Sequence, residues 1–434
     1  MSMMVKNNIE ALRVINLLDQ NTNMMQKDLT KVATGMKINT AQDDSAPWSI
    51  SERMRMRIRA LEQDNQNVQN DAALMKTAEG AVSNTIEVLK SLKEKAINSA
   101  NDSNTDEDRR TIQKEMDQFI DQIDDNALVQ FNGKYLIDGS KNNVISASKT
   151  VLLNQSLDIS TTATENLVDL KNRAGDSLNI QTGDYYTVSW VNNGTTKTTS
   201  GTVANNTNLA SLLSGGTPGS FTKGDDSTTL GKDKFDLDLY TPDKTEGIAL
   251  VANNTGVTQQ ISGFTISITD AEGNVKKAAN AALDQFKLYQ RAENQTGDKA
   301  LTFHTGPEAN VALKVGMGDM RAEALGLKGS EEKLSVTTKE KANAAINVID
   351  NALTMALNQQ VDIGSVLSRL DYTSANIITA RDNDQESESV IRDADMAKAM
   401  TDYTKNNVLV QSAQAMLMQA NQNPSAVLGL LQTQ

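Results

Sequence analysis

The stretch INVIDNALTMALNQQVDIGSVLSRLDYTSANI, residues 346–377, decides the fold of this chain. Its seam positions follow one another at alternating steps of three and four residues. They are Ile346, Ile349, Leu353, Ala356, Gln360, Ile363, Leu367, Leu370, Ser374 and Ile377. Such a repeat is typical of long helices that pack along a seam as coiled coils. The sequence therefore predicts a long helix, opened by a capping box of Thr337 and Glu340.

The same seven-residue step continues outward to both ends of the chain. A segment that begins at Pro47 carries Met54, Leu61, Val68, Met75, Val82, Leu89 and Ala96. The terminal rows are Met4, Ala11, Leu18, Met25 and Val32, with Leu29 beside them, and Met396, Tyr403, Val410 and Leu417, with Val427 beside them. A helix over residues 47–100 would be about 80 Å long. A compact globule cannot wrap such a helix, so we expect it to pair with the long C-terminal one. A third helix is expected from Thr105 and Asp108 onward.

The centre of the chain is rich in Gly, Ser, Thr and Asn. Apolar and polar residues alternate there in three segments, 186–190, 235–239 and 264–268. Alternation of this kind predicts strands, and Asn192, Asn193 and Gly194 after the first segment predict a hairpin turn. We therefore predict a mainly α fold, a long coiled-coil-like bundle formed by both chain ends. A β-rich, α+β region is inserted between about residues 175 and 300.

Composition excludes several classes of function. The 434 residues include no cysteine and one histidine, which rules out a thiolate zinc site and a cysteine nucleophile. The single histidine, His304, is interpreted as structural. A formal net charge of −13 argues against nucleic acid or an anionic membrane as a partner. No Gly-rich phosphate loop or nucleophile elbow occurs. We expect no enzyme activity, no cofactor and no metal.

Two charged clusters each allow two interpretations. The acidic cluster is Asp382, Asp384, Glu386, Glu388, Asp393 and Asp395, and the basic one is Arg53, Arg55, Arg57 and Arg59. The acidic cluster lacks the loop spacing of an EF-hand, so a solvated segment is preferred over a cation site. The basic cluster lacks interleaved aromatic residues, which disfavours nucleic-acid binding. Because the guanidinium fork suits carboxylates at interfaces, ion pairs between subunits are preferred.

The heptads at the two termini carry the main functional signal. They are rich in Ala, Met, Asn and Gln, so a coiled coil of about 40 residues would be only marginally stable in water. One interpretation is an intramolecular hairpin that stabilises a monomer. We favour the other, a subunit whose ends become ordered when neighbouring copies supply more surface.

Several segments together closely resemble bacterial flagellin, the subunit of the flagellar filament. They are KVATGMKINTAQDDSAPWSISERM (31–54), NDAALMKTAEGA (70–81), QFNGKYLIDGS (130–140), LTFHTGPEAN (301–310), AINVIDNAL (345–353), IRDADMAKAM (391–400) and TKNNVLVQSAQAMLMQAN (404–421). The segments stand in the family's order at both ends of the chain. The resemblance covers roughly residues 1–175 and 300–434.

The resemblance implies a division into three parts. Terminal helices at 1–44 and 395–434 would line the filament core, a helical bundle with a β-hairpin would occupy 45–175 and 300–394, and a variable surface-exposed domain would occupy 176–299. The core-packing positions would be Leu18, Met25, Leu29, Val32, Met396, Tyr403, Val410 and Leu417. The bundle and inter-subunit positions would be Trp48, Arg53, Arg57, Leu61, Leu89, Ile349, Leu353 and Leu367.

The resemblance also implies partners and a location. The subunit would be exported unfolded by a type III apparatus with an export chaperone, and it would polymerise under a cap beyond the hook–filament junction protein. It would then lie outside the cell without a cleavable signal peptide. Positions that contact the flagellin-sensing toll-like receptor in receptor-active members correspond here to Lys90, Ser91 and Lys95, with the acidic contact retained as Glu115. Replacing an arginine and a leucine by Ser91 and Lys95 predicts weak recognition.

Two other functions stay open at this point. The chain could be a hook–filament junction protein, which shares the terminal motifs, although a bundle match on both sides favours flagellin. Alternatively, the inserted region at 176–299 could have a separate glycan-binding role.

Overall fold

Long helices form where the heptads predict them. The computed structural model describes residues 8–213, 219–225, 227–242, 245–330 and 332–432, with side chains up to residue 422. The helices are α1 (Ile9–Thr34), α2 (Ser45–Ala100), α3 (Asp106–Ala127), α4 (Lys277–Leu283), α5 (Lys339–Arg392) and α6 (Met396–Gln432). The predicted seam positions Met4 and Val427 lie outside the described side chains.

The helix starts follow local capping chemistry. Asp108 N–H donates to Thr105 Oγ1 (3.3 Å), and Asp108 Oδ2 accepts from Thr105 N–H (2.9 Å), which confirms the start of α3. The predicted capping box of Thr337 and Glu340 is wrong by one residue. Helix α5 begins at Lys339, and Thr338 Oγ1 accepts from Lys341 N–H at 3.3 Å. Thr337 instead shares a hydrogen bond with Ser335.

The chain divides into two compact units. The first comprises residues up to 66, residues 305–311 and those from 373 onward, and the second comprises 67–304 and 312–372. The first unit holds α1 and α6 together with the adjoining ends of α2 and α5. The second holds α3, the remaining parts of α2 and α5, and the β-rich region. The three-part division stated above stays a prediction.

The strands of the second unit pair antiparallel. They are β1 (Gln130–Phe131), β2 (Lys134–Tyr135), β3 (Val151–Asn154), β4 (Tyr185–Asn192), β5 (Thr195–Thr202), β6 (Gly219–Gly224), β7 (Gly231–Lys232), β8 (Asp238–Leu239), β9 (Gly247–Ala252), β10 (Ile261–Thr269), β11 (Lys287–Gln290), β12 (Leu301–His304) and β13 (Ala312–Val315). One sheet has the order β10-β4-β5 and another β11-β3-β9-β6; β1-β2, β7-β8 and β12-β13 are two-stranded.

Two of the three predicted strand segments are confirmed. The β4–β5 hairpin turns at Asn193 and Gly194, whose φ angles of 50° and 75° suit a two-residue hairpin loop. The segment at 264–268 lies in β10. The prediction for 235–239 is mostly wrong, since only Asp238–Leu239 is a strand. There Asp233 Oδ1 accepts from the N–H groups of Phe235 (2.8 Å) and Leu237 (2.9 Å), which holds a turn in place of a strand.

Aromatic side chains form the core of the β-rich region. The rings of Phe221, Phe264 and Phe286 contact one another with centroids 5.0–5.8 Å apart, and Phe264 and Trp190 are almost fully buried. In the helical part of the second unit, buried aliphatic and Met side chains fill the core instead. These include Met75, Leu89, Met116, Ile120 and Ile349. The predicted fold class, mainly α with a β-rich region in the middle of the chain, is confirmed.

Candidate assembly interface

Helices α1 and α6 pack against each other as an antiparallel pair, and we call their contact the α1/α6 seam. The direction follows from two bonds. Ala394 N–H donates to Gly35 O at one end (2.9 Å), and Asn8 Nδ2 donates to Ala420 O at the other (2.9 Å). The buried apolar side chains of the pair are small, namely Ala11, Ala399, Val410 and Ala413. The seam thus brings the two chain ends together with little apolar burial.

Polar bonds lie within the seam. Asn406 is 9% exposed, and its Nδ2 donates to Asp28 Oδ2 at 2.7 Å. Asn8 also caps α1, because its Oδ1 accepts from Ala11 N–H at 3.0 Å. A buried polar pair in a coiled-coil seam favours one register, since a shifted register would leave both groups buried without partners. Asn406 and Asp28 therefore help to align α1 with α6.

Large apolar side chains line the outer faces of the same helices. In α1, Leu12, Leu17 and Leu29 are 56%, 53% and 48% exposed. In α6, the exposed apolar residues are Met396, Met400, Val408, Leu409, Met416 and Met418. On α6, Met400, Val408 and Leu409 line one shallow surface, and a group of exposed apolar side chains is typical of an interaction site.

The predicted core-packing residues are distributed over these two environments. Val410 is buried in the α1/α6 seam, and Leu18, Met25, Val32, Tyr403 and Leu417 are half-buried. Leu29 and Met396 are exposed within the single chain. Contact of these positions with neighbouring copies stays a prediction.

The end of α1 is tied to the short connection between α5 and α6. Gly35 terminates α1 with a φ of 72°, and its N–H donates to Lys31 O at 2.9 Å. Lys37 N–H donates to Arg392 O (2.8 Å), and Lys37 Nζ donates to Val390 O (2.9 Å). These bonds fix the point at which α1 ends and α6 begins.

A ladder of ion pairs joins the first turns of α2 to the last turns of α5. Its N–O distances are 2.6 Å for Arg392–Glu52, 2.9 Å for Arg55–Glu388 and 3.0 Å for Arg57–Asp384. The hydrogen bond from Arg392 lowers the pKa of Glu52 below its ordinary value. For Arg55 and Arg57, the interpretation as pairs between subunits needs correction, because their carboxylate partners lie in the same chain. The periodic arginines match carboxylates spaced four residues apart on α5.

The acidic cluster accordingly lies in the last turns of α5 and in the connection to α6, and two of its members pair with the arginines. Within the described residues, no three His, Asp or Glu side chains converge as metal ligands would. His304 is the last residue of β12 and is exposed. No helix in the described part of the chain is long and apolar enough to cross a membrane.

The remaining predicted positions lie in both units. In the first unit, Leu61 is buried, Trp48 is half-buried and Arg53 is exposed. In the second unit, Leu89 and Ile349 are fully buried, and Leu353 and Leu367 are half-buried. A role for these residues between subunits stays a prediction.

The receptor-contact-like positions lie on α2 and α3 in the second unit. Lys95 Nζ pairs with Glu115 at 2.7 Å, and Lys90 Nζ pairs with Glu87 at 2.7 Å. Ser91 Oγ donates to Glu87 O at 3.2 Å. Glu115, the retained acidic residue, is thus paired with Lys95, which stands at the position predicted to correspond to an apolar contact.

Sequence reasoning missed several residues of the interface. Asn406 and Asp28 were not assigned, although a polar residue on the seven-residue row Ala399, Asn406, Ala413 and Ala420 was a usable signal. Arg392 and Glu52 were also missed, and the sequence carries no signal that joins them across 340 residues.

This arrangement defines a class of protein. A pair of terminal helices with a buried polar bond in its seam and exposed apolar outer faces is typical of subunits that polymerise into helical filaments. Residues 5–142 match the family model described as the bacterial flagellin N-terminal helical region, and residues 346–431 match the bacterial flagellin C-terminal helical region.

Relatives of nearly the same length agree with these matches. A flagellin of Clostridium tyrobutyricum is 32% identical over 97% of this chain and 99% of its own. A flagellar filament 30.7 kDa core protein of Treponema maltophilum is 26% identical over 99% of this chain and 100% of its own. A crystal structure of flagellar hook associated protein-3 from Legionella pneumophila covers 77% of this chain and 97% of its own, at 17% identity and a TM-score of 0.34. The chain belongs to the bacterial flagellin family and is a structural subunit of the flagellar filament.

Proposed function

We propose that this chain polymerises through the α1/α6 seam together with the exposed apolar faces of its two helices. The observation that carries the proposal is the difference between the buried and the exposed apolar residues of this helix pair. Its buried residues are mostly alanine, whereas leucines and methionines face outward. Burial of apolar area against neighbouring copies would supply the stabilisation that the isolated pair lacks, at about 25 cal/mol per Å².

Deleting residues 405–434 tests the proposal. The truncated chain should stay a monomer in conditions where the parent forms filaments, because α1 loses its partner helix. Sedimentation and electron microscopy measure the result, and circular dichroism of the β-rich second unit checks that the rest is folded. Normal filaments from the truncated chain would contradict the proposal.

The proposal also covers how the subunit reaches the filament. The subunit is exported unfolded by a type III apparatus with a chaperone, assembles under a cap beyond the junction protein, and lies outside the cell. A chain without cysteine supports this route, because an unfolded chain of this composition cannot cross-link through disulfides. Loss of the subunit from the medium of an export-deficient strain is the expected result, and undiminished secretion there would contradict it.

We further propose weak recognition by the flagellin-sensing toll-like receptor. The Lys95–Glu115 ion pair occupies the surface where an apolar contact and a free carboxylate would be required. The double substitution Ser91→Arg and Lys95→Leu should raise the response of a receptor reporter cell by about tenfold or more. Lys76→Leu, an exposed change on the same helix, is the matched control. A parent response equal to that of a potent flagellin would contradict this proposal.

A junction-protein role is not favoured, because the flagellin relatives span nearly the whole chain. Quantity is the discriminating measurement, since a filament subunit dominates sheared filaments whereas a junction protein is a minor component.

A further inference from the structure

A cleft of about 450 Å³ opens in the second unit. One wall is formed by the end of β11 and the residues after it, Gln290, Arg291 and Glu293. Another comes from α5, where Thr354, Asn358 and Asp362 follow one another at steps of four on one helical face. The turn at 233–235 closes a third side. The volume lies in the range of small-molecule sites.

The β11 wall contains buried polar atoms without hydrogen-bond partners. They are Gln290 Oε1, Arg291 Nε and Glu293 Oε2. The Arg291 guanidinium lies 3.3 Å from Glu293 Oε1, but this contact is not aligned as a hydrogen bond. Native proteins rarely leave several such atoms together, unless a ligand or ordered water satisfies them. These three residues therefore make the β11 wall of the cleft polar.

An exposed ring stands at the same cleft. Phe235 is 57% exposed, although Lys234 Nζ lies 5.3 Å from its ring centroid. The Phe235 and Leu237 N–H groups donate to Asp233 Oδ1, and these turn bonds hold the ring in this position. Tyr289 also lines the cleft, and its hydroxyl donates a hydrogen bond to Tyr240 O at 2.9 Å. The cleft thus combines aromatic surface with hydrogen-bonding groups.

The charges of the cleft select the chemistry of the ligand. Three carboxylates (Asp233, Glu293 and Asp362) stand against two cations (Lys234 and Arg291). This near balance disfavours an anion such as phosphate, and the described residues contain no convergent set of metal ligands. The amides of Asn142, Asn143, Asn358 and Gln290 both donate and accept hydrogen bonds. A neutral polyhydroxylated ring matches this mixture, because each hydroxyl also donates and accepts, while its C–H face packs on an aromatic ring.

We propose that this cleft binds a neutral saccharide, with Phe235 as the stacking surface and Asn358 and the Gln290–Glu293 wall as hydrogen-bonding groups. The site does not depend on the polymerisation proposed above, because all its lining residues belong to the second unit. It also differs from an inserted domain acting alone, since α5 supplies one wall.

Binding is tested with the full-length chain as a depolymerised monomer. Glucose, galactose, mannose and N-acetylglucosamine, with their common disaccharides, are titrated and followed by saturation-transfer NMR. Inorganic phosphate and spermidine serve as the anionic and cationic probes. At least one neutral sugar should bind saturably, and Phe235→Ala should weaken its binding about fivefold or more. Leu237→Ala removes a similarly exposed side chain from the same turn outside the cleft and should leave the dissociation constant unchanged.

A second pair of variants covers the opposite wall. Asn358→Ala should weaken sugar binding, whereas Asn343→Ala, an exposed change on the same helix outside the cleft, should not. Thermal unfolding of each variant checks that it is folded. If Phe235→Ala proves destabilised, the comparison of Asn358→Ala with Asn343→Ala decides the test. Absence of binding by every sugar, preferential binding of phosphate or spermidine, or equal losses in variant and control would each overturn the proposal.

Discussion

The α1/α6 seam and the core of the β-rich region bury different kinds of side chain. Among the described side chains of the seam, the buried apolar positions are three alanines and Val410. In the core, Trp190, Phe264 and Leu152 are covered almost completely, and three phenylalanines contact one another. Buried alanine removes far less apolar area from water than buried phenylalanine or tryptophan does.

This difference separates folding from assembly. The core completes its packing within one chain, so it needs no further surface. The seam instead leaves leucines and methionines exposed, so that apolar area remains for contacts with other copies. The β-rich region of this flagellin-family chain is thus packed within one copy, whereas we propose that its terminal helices gain stability from neighbouring copies.

The largest expected effect comes from a charge placed in the α1/α6 seam. Val410→Asp puts a carboxylate at a position that is 8% exposed, where burial of an unpaired charge is unfavourable. We expect no filaments at concentrations where the parent polymerises, measured by sedimentation. The unfolding transition of the β-rich region should be unchanged.

Two further variants sharpen this result. Gln414→Glu adds the same charge at an exposed position of α6 and should allow assembly. Val408→Asp alters an apolar residue that is 55% exposed, so it should impair assembly only if that face contacts another copy. Polymerisation of Val410→Asp at the parent's concentration would show that the seam is not required.

A smaller effect, confined to folding, is expected in the aromatic core. Phe264→Ala removes a ring that contacts Phe221 and Phe286, and should lower the free energy of unfolding by about 3–5 kcal/mol. Urea denaturation followed by tryptophan fluorescence measures this change. Phe235→Ala, which removes a ring that is 57% exposed, should cost about 0.5 kcal/mol or less. Similar losses in the two variants would contradict the assignment of the core.

Local patterns made part of this architecture predictable. The heptads predicted α2 and α5, because a repeat of seven can be satisfied only by a long helix with a partner. Asn192, Asn193 and Gly194 predicted the β4–β5 hairpin, and the loop itself uses Asn193 and Gly194, which both tolerate a positive φ. The alternation in segment 235–239 predicted a strand that is mostly absent, because Asp233 Oδ1 accepts a hydrogen bond from the Phe235 N–H and holds a turn there.

Pairings between distant residues could not be predicted. The four-stranded sheet joins β3 to β9 and β11, whose pairing depends on packing across about a hundred residues of chain. The Asp28–Asn406 bond and the intrachain Arg57–Asp384 pair likewise join opposite ends of the sequence. A run of arginines on a helix has the same appearance when its carboxylates lie in one chain as when they lie in another.

The smallest effect, and one specific to the second unit, concerns pH. Burial raises the pKa of Asp284 from 3.8 to about 6, while Asn347 Nδ2 donates to its Oδ1 at 3.3 Å. Since the folded state favours the protonated form, the contribution of Asp284 to stability is complete below about pH 3.8 and is lost as the pH rises through about 6. Because the Asp284 side chain remains partly exposed to water, which screens the effect, Asp284→Asn should gain stability relative to the parent between pH 4 and pH 8 by about 1 kcal/mol or less.

Urea denaturation of both proteins across this pH range measures the difference in free energy of unfolding. Asp225→Asn is the control of opposite sign. Hydrogen bonds from Ser227 and Thr228 lower the pKa of Asp225 to about 2, so its contribution is present above pH 3.8 and is lost as the pH falls. The Asp225 variant should lose stability relative to the parent as the pH rises. A difference for Asp284→Asn that does not change with pH would show that the pKa of this carboxyl is not raised in the folded chain. Its position beside α5 and β10 would then need to be revised.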